Sequence, residues 1–124
     1  MKAIIVEDEL LAAVHAEAAL ESLGVEVIGT AEDSVGALEL ARRQPQLALV
    51  DLNLRDGFTG PDVAAQLARI GINVMFVTAN PAELGPAARL AAPVLEKPLE
   101  EQRLAEALSP LIGRAGGAGD CNCT

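Results

Sequence analysis

The sequence is poor in aromatic and basic residues. Its 124 residues include two phenylalanines but no tyrosine or tryptophan, and nine lysines and arginines stand against eighteen acidic residues. The resulting formal charge of −9 comes without any basic cluster. Because proteins bind phosphate backbones through clustered lysine and arginine, nucleic acid is not expected as a direct partner.

The chain also lacks long apolar runs and a cysteine framework. No run approaches the roughly 18 apolar residues that cross a bilayer, and Glu7 ends the first apolar run too early for a signal peptide. We therefore expect no membrane association. Cys121 and Cys123 lie in a Gly-rich stretch where they cannot cross-link a core. These features favour a cytoplasmic protein.

Short β-branched runs alternate with helical stretches along the chain. Strands are predicted at 2–6, 25–30, 47–51, 73–78 and 93–96. Helices are predicted from the acidic triplet at 7–9 to about 23, and over 34–43, 61–70, 82–91 and 100–112. This alternation predicts an α/β fold, in which right-handed crossovers build a doubly wound, five-stranded parallel sheet.

The length is that of one domain. We place this domain at 1–112 and interpret the Gly-rich segment 113–124 as a disordered tail. With no DNA-binding or catalytic domain after the fold, any output is expected to pass through another protein. A domain cut from a longer chain, with the tail as a linker, is an open alternative.

Polar side chains stand where four of the predicted strands end. Glu7 and Asp8 follow the first strand, Asp51 closes the third, Thr78 closes the fourth and Lys97 follows the fifth. In an open parallel sheet, ligands bind beyond the carboxyl ends of the strands. We therefore expect these five side chains to converge at one edge.

Three carboxylates that crowd together raise one another's pKa unless a cation compensates them. A hard divalent cation that keeps several waters suits such a site, which indicates Mg²⁺. The predicted ligands are Glu7, Asp8, Asp51 and the backbone carbonyl of Asn53, directly or through water.

Lys97 adds a second cation opposite the predicted metal. A phosphoryl group between Mg²⁺ and an ammonium would need both charges. Asp51 lies between them and is the candidate nucleophile, while Thr78 can supply a hydroxyl donor. A hydrolase on a related fold needs a second acid/base aspartate shortly after the nucleophile. Asn53 occupies that position, which disfavours hydrolase chemistry.

In order and spacing, Glu7-Asp8, Asp51, Thr78 and Lys97-Pro98 resemble the signature of response-regulator receiver domains, over residues 1 to about 112. The resemblance implies a flavodoxin-like (βα)5 fold with strand order 2-1-3-4-5 and a cis Lys97-Pro98 peptide bond. It implies that Asp51 accepts a phosphoryl group from a phosphohistidine of a sensor histidine kinase or a histidine phosphotransfer protein. It also implies a signalling switch that binds an effector protein and is not a turnover enzyme, with only self-catalysed phosphotransfer and autodephosphorylation.

The sequence departs from the family pattern at two positions. Glu7 stands where the family most often has aspartate, and Val94 stands where many receivers carry a tyrosine or phenylalanine that couples to the threonine. Phe76 gives a Phe-x-Thr run with Thr78, which resembles a subset of receivers from alphaproteobacterial stress and single-domain regulators.

Several readings stay open at the level of sequence. The chain could be an effector-binding regulator, or a phosphate sink or shuttle without output. Val94 is the one feature that favours a degenerate, constitutive interaction module. His15 invites the idea of a phosphohistidine donor, but donors are helical bundles, so a solvent-facing helix residue is expected there.

Overall fold

The computed structural model describes residues 1–85 and 92–117. Its elements in chain order are β1 (Lys2–Val6), α1 (Leu10–Ser22), β2 (Glu26–Ala31), α2 (Ser34–Ala41), β3 (Leu47–Val50), α3 (Gly60–Arg69), β4 (Asn73–Thr78), a 3₁₀ turn (Pro81–Glu83), β5 (Val94–Glu96) and α4 (Glu101–Gly117). The five strands form one parallel sheet in the order β2-β1-β3-β4-β5. The predicted fold class and strand order are confirmed.

The central strands are buried on both faces, as their nearly continuous apolar sequence predicts. All four residues of β3 are buried, and alternate residues of β1 face opposite layers. Ile4 and Val6 pack with α2 and α3, whereas Ala3 and Ile5 pack with α1 and α4. The sheet is therefore covered by helices on both sides, and its polar edges are where a site can open to solvent.

Local signals begin and end the helices where the sequence places them. The Asp33 side chain accepts a hydrogen bond of 2.8 Å from the Gly36 N–H and caps α2. Gly24 follows α1 with a φ of 84°, the left-handed conformation that glycine adopts without strain. Pro61 lies in the first turn of α3, where its missing N–H costs no helical hydrogen bond.

Two predicted segments differ from the structure. The helix predicted at 82–91 begins as the 3₁₀ turn Pro81–Glu83, and residues 86–91 lie outside the described residues. Helix α4 continues to Gly117, past the predicted end at residue 112. Residues 113–117 are thus helical where a disordered tail was expected. Glycine disfavours a helix by only about 1 kcal/mol, and the interspersed Arg114 and Ala115 are good helix formers. The rest of the predicted tail, 118–124, lies outside the described residues.

No helix in the described part of the chain combines the length and the apolar character needed to cross a membrane.

Candidate functional site

The backbone hydrogen bonds of the sheet extend beyond the strands and fix the residues that follow them. The N–H of Glu7 donates to the carbonyl of Ala31 at 2.8 Å, and the N–H of Asp51 donates to the carbonyl of Val6 at 2.9 Å. The N–H of Lys97 donates to the carbonyl of Thr78 at 2.8 Å. Three of the predicted site residues are therefore held at one edge of the sheet by their own backbones.

Lys97 lies between two carboxylates at this edge. Its Nζ is 2.7 Å from Glu7 Oε1 and 2.9 Å from Asp51 Oδ2. The three side chains are mostly buried, with 19% of the lysine, 6% of the glutamate and 10% of the aspartate exposed. Charges removed from water in this way are tolerated only when they are paired. The peptide bond from Lys97 to Pro98 is cis, as the family resemblance implies.

The carboxylates of Glu7, Asp8 and Asp51 form a cluster that fits a hard divalent cation. Each offers one oxygen, and the three oxygens lie within 4.8 Å of one another. Asp8 is exposed and opens the cluster to solvent. The other oxygen of Asp51, Oδ1, accepts a hydrogen bond of 2.7 Å from the Leu52 N–H, which orients the carboxylate. An all-oxygen donor set that is open to water on one side is the type that Mg²⁺ prefers.

The buried charges perturb one another's titration. The pKa of Glu7 is raised to about 7, chiefly by burial and in part by the nearby Asp51, while the hydrogen bond from Lys97 acts in the opposite direction. Burial lowers the pKa of Lys97, but its hydrogen bonds to Glu7 and Asp51 outweigh this, so that its pKa is raised overall. Lys97 therefore stays charged at neutral pH, whereas Glu7 exchanges protons near neutrality.

The raised pKa of Glu7 predicts a pH dependence of stability in metal-free protein. A carboxyl whose pKa is higher in the folded state, here about 7 against an ordinary 4.5, stabilises the fold below the lower value. This stabilisation is lost as the pH rises through 7. Measured by urea unfolding, the free energy of unfolding of the wild type should fall between pH 5 and pH 8. This fall should be absent or much smaller in Glu7→Gln. Equal losses in both proteins would contradict the assigned titration.

The side chains of two other predicted site residues make hydrogen bonds outside this cluster. Thr78 ends β4 and is only 2% exposed, and its Oγ1 accepts a hydrogen bond of 3.1 Å from the Asn80 N–H. The side-chain amide of Asn53 donates to Glu83 Oε1 at 3.2 Å. Asn53 thereby links the loop after β3 to the turn after β4. The sequence pattern did not indicate this link to Glu83.

A cavity of about 450 Å³ adjoins the carboxylates. Its polar end is formed by Glu7, Asp51 and Lys97, and its wall on the α1 side includes Leu11 and His15. His15 is exposed, which agrees with its interpretation as a solvent-facing helix residue. The nucleophile candidate therefore borders open space rather than packed core.

Gly60 is a residue of the site region that the sequence analysis did not identify. A Cβ placed on Gly60 would lie 2.0 Å from the carbonyl oxygen of Asp51 and 2.7 Å from the Cα of Leu52. Only a residue without a side chain lets the start of α3 approach the end of β3 this closely. The Gly-Pro pair at the predicted start of α3 was the available signal.

Asp56 anchors the loop that connects Asp51 to α3. Its carboxylate accepts hydrogen bonds from the backbone and hydroxyl of Ser34 and from the hydroxyl of Thr59. These hydrogen bonds from Ser34 and Thr59 lower the pKa of Asp56. The loop is thus tied to the start of α2, which limits how far the backbone after Asp51 can move.

The position of the usual aromatic switch residue is occupied by Val94, which is half-buried. Val94 pairs with Phe76 across β4 and β5, and Phe76 is 3% exposed. The aromatic side chain in this region therefore belongs to the core of β4, two residues before Thr78.

Comparisons with known proteins agree with this geometry. A family model described as "Response regulator receiver domain" matches residues 3–109. The phyllosphere-induced regulator PhyR of Methylorubrum extorquens is 40% identical over 81 residues, which are 63% of this chain and 30% of that protein. This chain thus spans less than a third of the length of that relative.

Two solved structures of PhyR proteins are also similar. The receiver domain of Erythrobacter litoralis PhyR superposes with a TM-score of 0.80 at 31% identity, over 90% of this chain and 88% of that chain. A mutant of the anti-anti-sigma factor PhyR from Bartonella quintana has a TM-score of 0.77 at 27% identity, over 93% of this chain and 50% of that chain. The family model matches most of the chain, the fold is the same, and Lys97 lies beside the acidic cluster that contains Asp51. This chain therefore belongs to the response regulator receiver domain family.

Proposed function

We propose that this chain is a phosphoacceptor switch that takes a phosphoryl group from a phosphohistidine onto Asp51, with Mg²⁺ bound. The observation that carries the proposal is the position of Lys97, whose ammonium lies 2.9 Å from Asp51 within a cluster of carboxylates. An ammonium group at this position can offset the negative charge that phosphorylation adds.

The transfer itself is a displacement at phosphorus. A carboxylate oxygen of Asp51 bonds to the phosphorus while the bond from phosphorus to the donor imidazole nitrogen breaks. The imidazole leaves with the electron pair and takes a proton from solvent. The switch is reset by hydrolysis. Water attacks the phosphorus of the aspartyl phosphate, which releases inorganic phosphate and restores the Asp51 carboxylate.

Asp8, Asp51 and the carbonyl of Asn53 are the groups that would hold Mg²⁺, with Glu7 assisting through water. A cation held there would supply positive charge for the phosphoryl oxygens. The chain's own contribution is to orient Asp51 through the Leu52 N–H and to supply Lys97 as a second positive charge.

Phosphorylation would change the site through charge. The acyl phosphate adds up to about two negative charges, which attract Lys97 and the Thr78 hydroxyl. Thr78 Oγ1 now accepts from the Asn80 N–H, so its movement would release the turn that follows β4. The switch is a population shift, because the phosphoryl group interacts unequally with the two states.

The expected partners are a sensor histidine kinase or a histidine phosphotransfer protein, and an effector protein. Exposed large apolar side chains on α1 support a protein partner, namely Leu10, Leu11 and Val14, which are 76%, 79% and 54% exposed. One relative is described as an anti-anti-sigma factor, which supports protein binding as the output.

A phosphate sink or shuttle is the alternative role. Rapid return of the phosphoryl group from Asp51 to a histidine phosphotransfer protein would favour the shuttle, whereas slow return with altered effector binding would favour the switch. In either role we expect the chain to work in the cytoplasm and to turn over no substrate beyond its own phosphoryl group.

Incubation with Mg²⁺ and acetyl phosphate tests the proposal. Intact mass spectrometry should show one added phosphoryl group in the wild type and in Asp62→Asn, which alters an exposed carboxylate on α3. The addition should disappear when Mg²⁺ is chelated, because the carboxylates then repel the incoming phosphoryl group. Absence of the addition in the presence of Mg²⁺ would instead favour the constitutive interaction module.

A further inference from the structure

Both carboxylate oxygens of Glu7 are engaged by the chain itself. Oε1 accepts from Lys97 Nζ at 2.7 Å, and Oε2 accepts from the backbone N–H of Glu9 at 3.2 Å. The Glu7 side chain is only 6% exposed. Glu7 is therefore committed to Lys97 rather than free at the edge of the site.

The length of glutamate is what allows this contact. Glu7 is fixed at the end of β1 by its backbone hydrogen bond to Ala31, while Lys97 follows β5, beyond β3 and β4 in the sheet. An aspartate at position 7 would be shorter by one carbon–carbon bond, about 1.5 Å. At the observed 2.7 Å, that difference removes a direct hydrogen bond, because such contacts end near 3.2 Å.

We propose that Glu7 positions Lys97 as its counter-ion in the resting state, and that the phosphoryl group on Asp51 must replace Glu7 as the partner of this lysine. This inference rests on the proposed function of Asp51. Lys97 then has two alternative anionic partners, and the contact between Glu7 and Lys97 opposes the phosphorylated state.

The two roles of Glu7 compete with one another. While Lys97 lies 2.7 Å from Oε1, its positive charge offsets the charge of the carboxylate and weakens the attraction of Glu7 for a divalent cation. Glu7 therefore adds little to cation binding in the resting protein and adds more once Lys97 has left. Asp8 is exposed and makes no contact with Lys97 among the hydrogen bonds and ion pairs of the described residues, so its contribution does not depend on the lysine.

A double-mutant cycle measures this dependence. Mg²⁺ affinity is determined by calorimetric titration of unphosphorylated wild type, Glu7→Gln, Lys97→Met and the double variant. With Lys97 present, Glu7→Gln should change the dissociation constant less than about threefold, whereas with methionine at 97 it should weaken binding about tenfold or more. As a control, Asp8→Asn should weaken binding by the same factor in both backgrounds. An equal effect of Glu7→Gln in both backgrounds would overturn the inference.

Two further measurements keep this result separate from overall folding and from the proposed function. Glu7→Asp keeps the charge but loses the reach, so it should bind Mg²⁺ more tightly than the wild type; unchanged or weaker binding contradicts the inference. Urea unfolding of the same four variants without metal should also be non-additive, and additivity would overturn the counter-ion role.

None of these measurements needs phosphorylation. If the cycles are non-additive but Asp51 accepts no phosphoryl group, the resting contact between Glu7 and Lys97 stands. The exchange of partners that the inference requires is then overturned. Additive cycles in a protein that is phosphorylated would remove the inference and leave the proposed function intact.

Discussion

Replacement of Lys97 by methionine should slow phosphoryl gain from acetyl phosphate by about 100-fold or more, as loss of a charged group that stabilises a transition state commonly does. The ammonium lies 2.9 Å from Asp51, where charge accumulates as the phosphoryl group arrives. Methionine keeps much of the aliphatic length and removes the charge. Time-resolved intact mass spectrometry at saturating Mg²⁺ gives the rate.

The matched control is Lys2→Met. Lys2 is exposed at the opposite end of β1, so its charge is remote from the site and its replacement should leave the rate unchanged. Removal of the lysine charge removes a repulsion on the cation, so Lys97→Met should bind Mg²⁺ at least as tightly as the wild type, and a slower reaction cannot be explained by loss of the metal. A wild-type rate in Lys97→Met would contradict the role assigned to the lysine.

Replacement of Gly60 by alanine is expected to lower the free energy of unfolding by about 3 kcal/mol, the upper range for overpacking a close-packed region. The new Cβ would lie 2.0 Å from the Asp51 carbonyl oxygen. Because this oxygen is part of the backbone, no side-chain rotation can relieve the clash. The backbone of Asp51 and Leu52 must shift, so phosphorylation should slow as well.

Urea unfolding followed by far-ultraviolet circular dichroism measures this loss, since the chain has no tryptophan or tyrosine to report on tertiary structure. Gly85→Ala serves as the control, because a Cβ on Gly85 would meet nothing within 4 Å. Equal stability of the two variants would contradict the close approach of α3 to the end of β3.

The sequence predicts the architecture well because its signals are local and agree with one another. Apolar runs of strand length, Asp33 before α2 and Gly24 after α1 each specify an element or its end, and all of them appear in the structure. The predicted end of α4 was wrong, because glycines raise the free energy of a helix without forbidding it. Composition alone therefore does not locate the last helical turn.

The site was only partly predictable. Strand ends brought Glu7, Asp51 and Lys97 to one edge, because parallel strands end on the same side of a sheet. The direct contact between Glu7 and Lys97 depends on side-chain reach across β3 and β4, which strand order alone does not give. The tight approach at Gly60 likewise depends on packing between α3 and β3, which only the structure reveals.

Thr78 illustrates a further limit of inference from strand ends. Its position after β4 is as expected, but its hydroxyl oxygen accepts a hydrogen bond from the Asn80 N–H. A residue at the correct edge can thus hydrogen-bond to its neighbours in the resting state. The predicted role of Thr78, attraction to the phosphoryl group, concerns the phosphorylated state.

The most direct test of the central claim is to locate the phosphoryl group chemically. Borohydride reduces an acyl phosphate to an alcohol and leaves free carboxylates intact, so a phosphorylated aspartate becomes homoserine. Trypsin cuts after Arg43 and Arg55 and releases residues 44–55, in which Asp51 is the only acidic side chain. After incubation with Mg²⁺ and acetyl phosphate, we expect homoserine at position 51 in this peptide. Homoserine at Asp8 or Asp56 instead, or an unmodified 44–55 peptide, would contradict it.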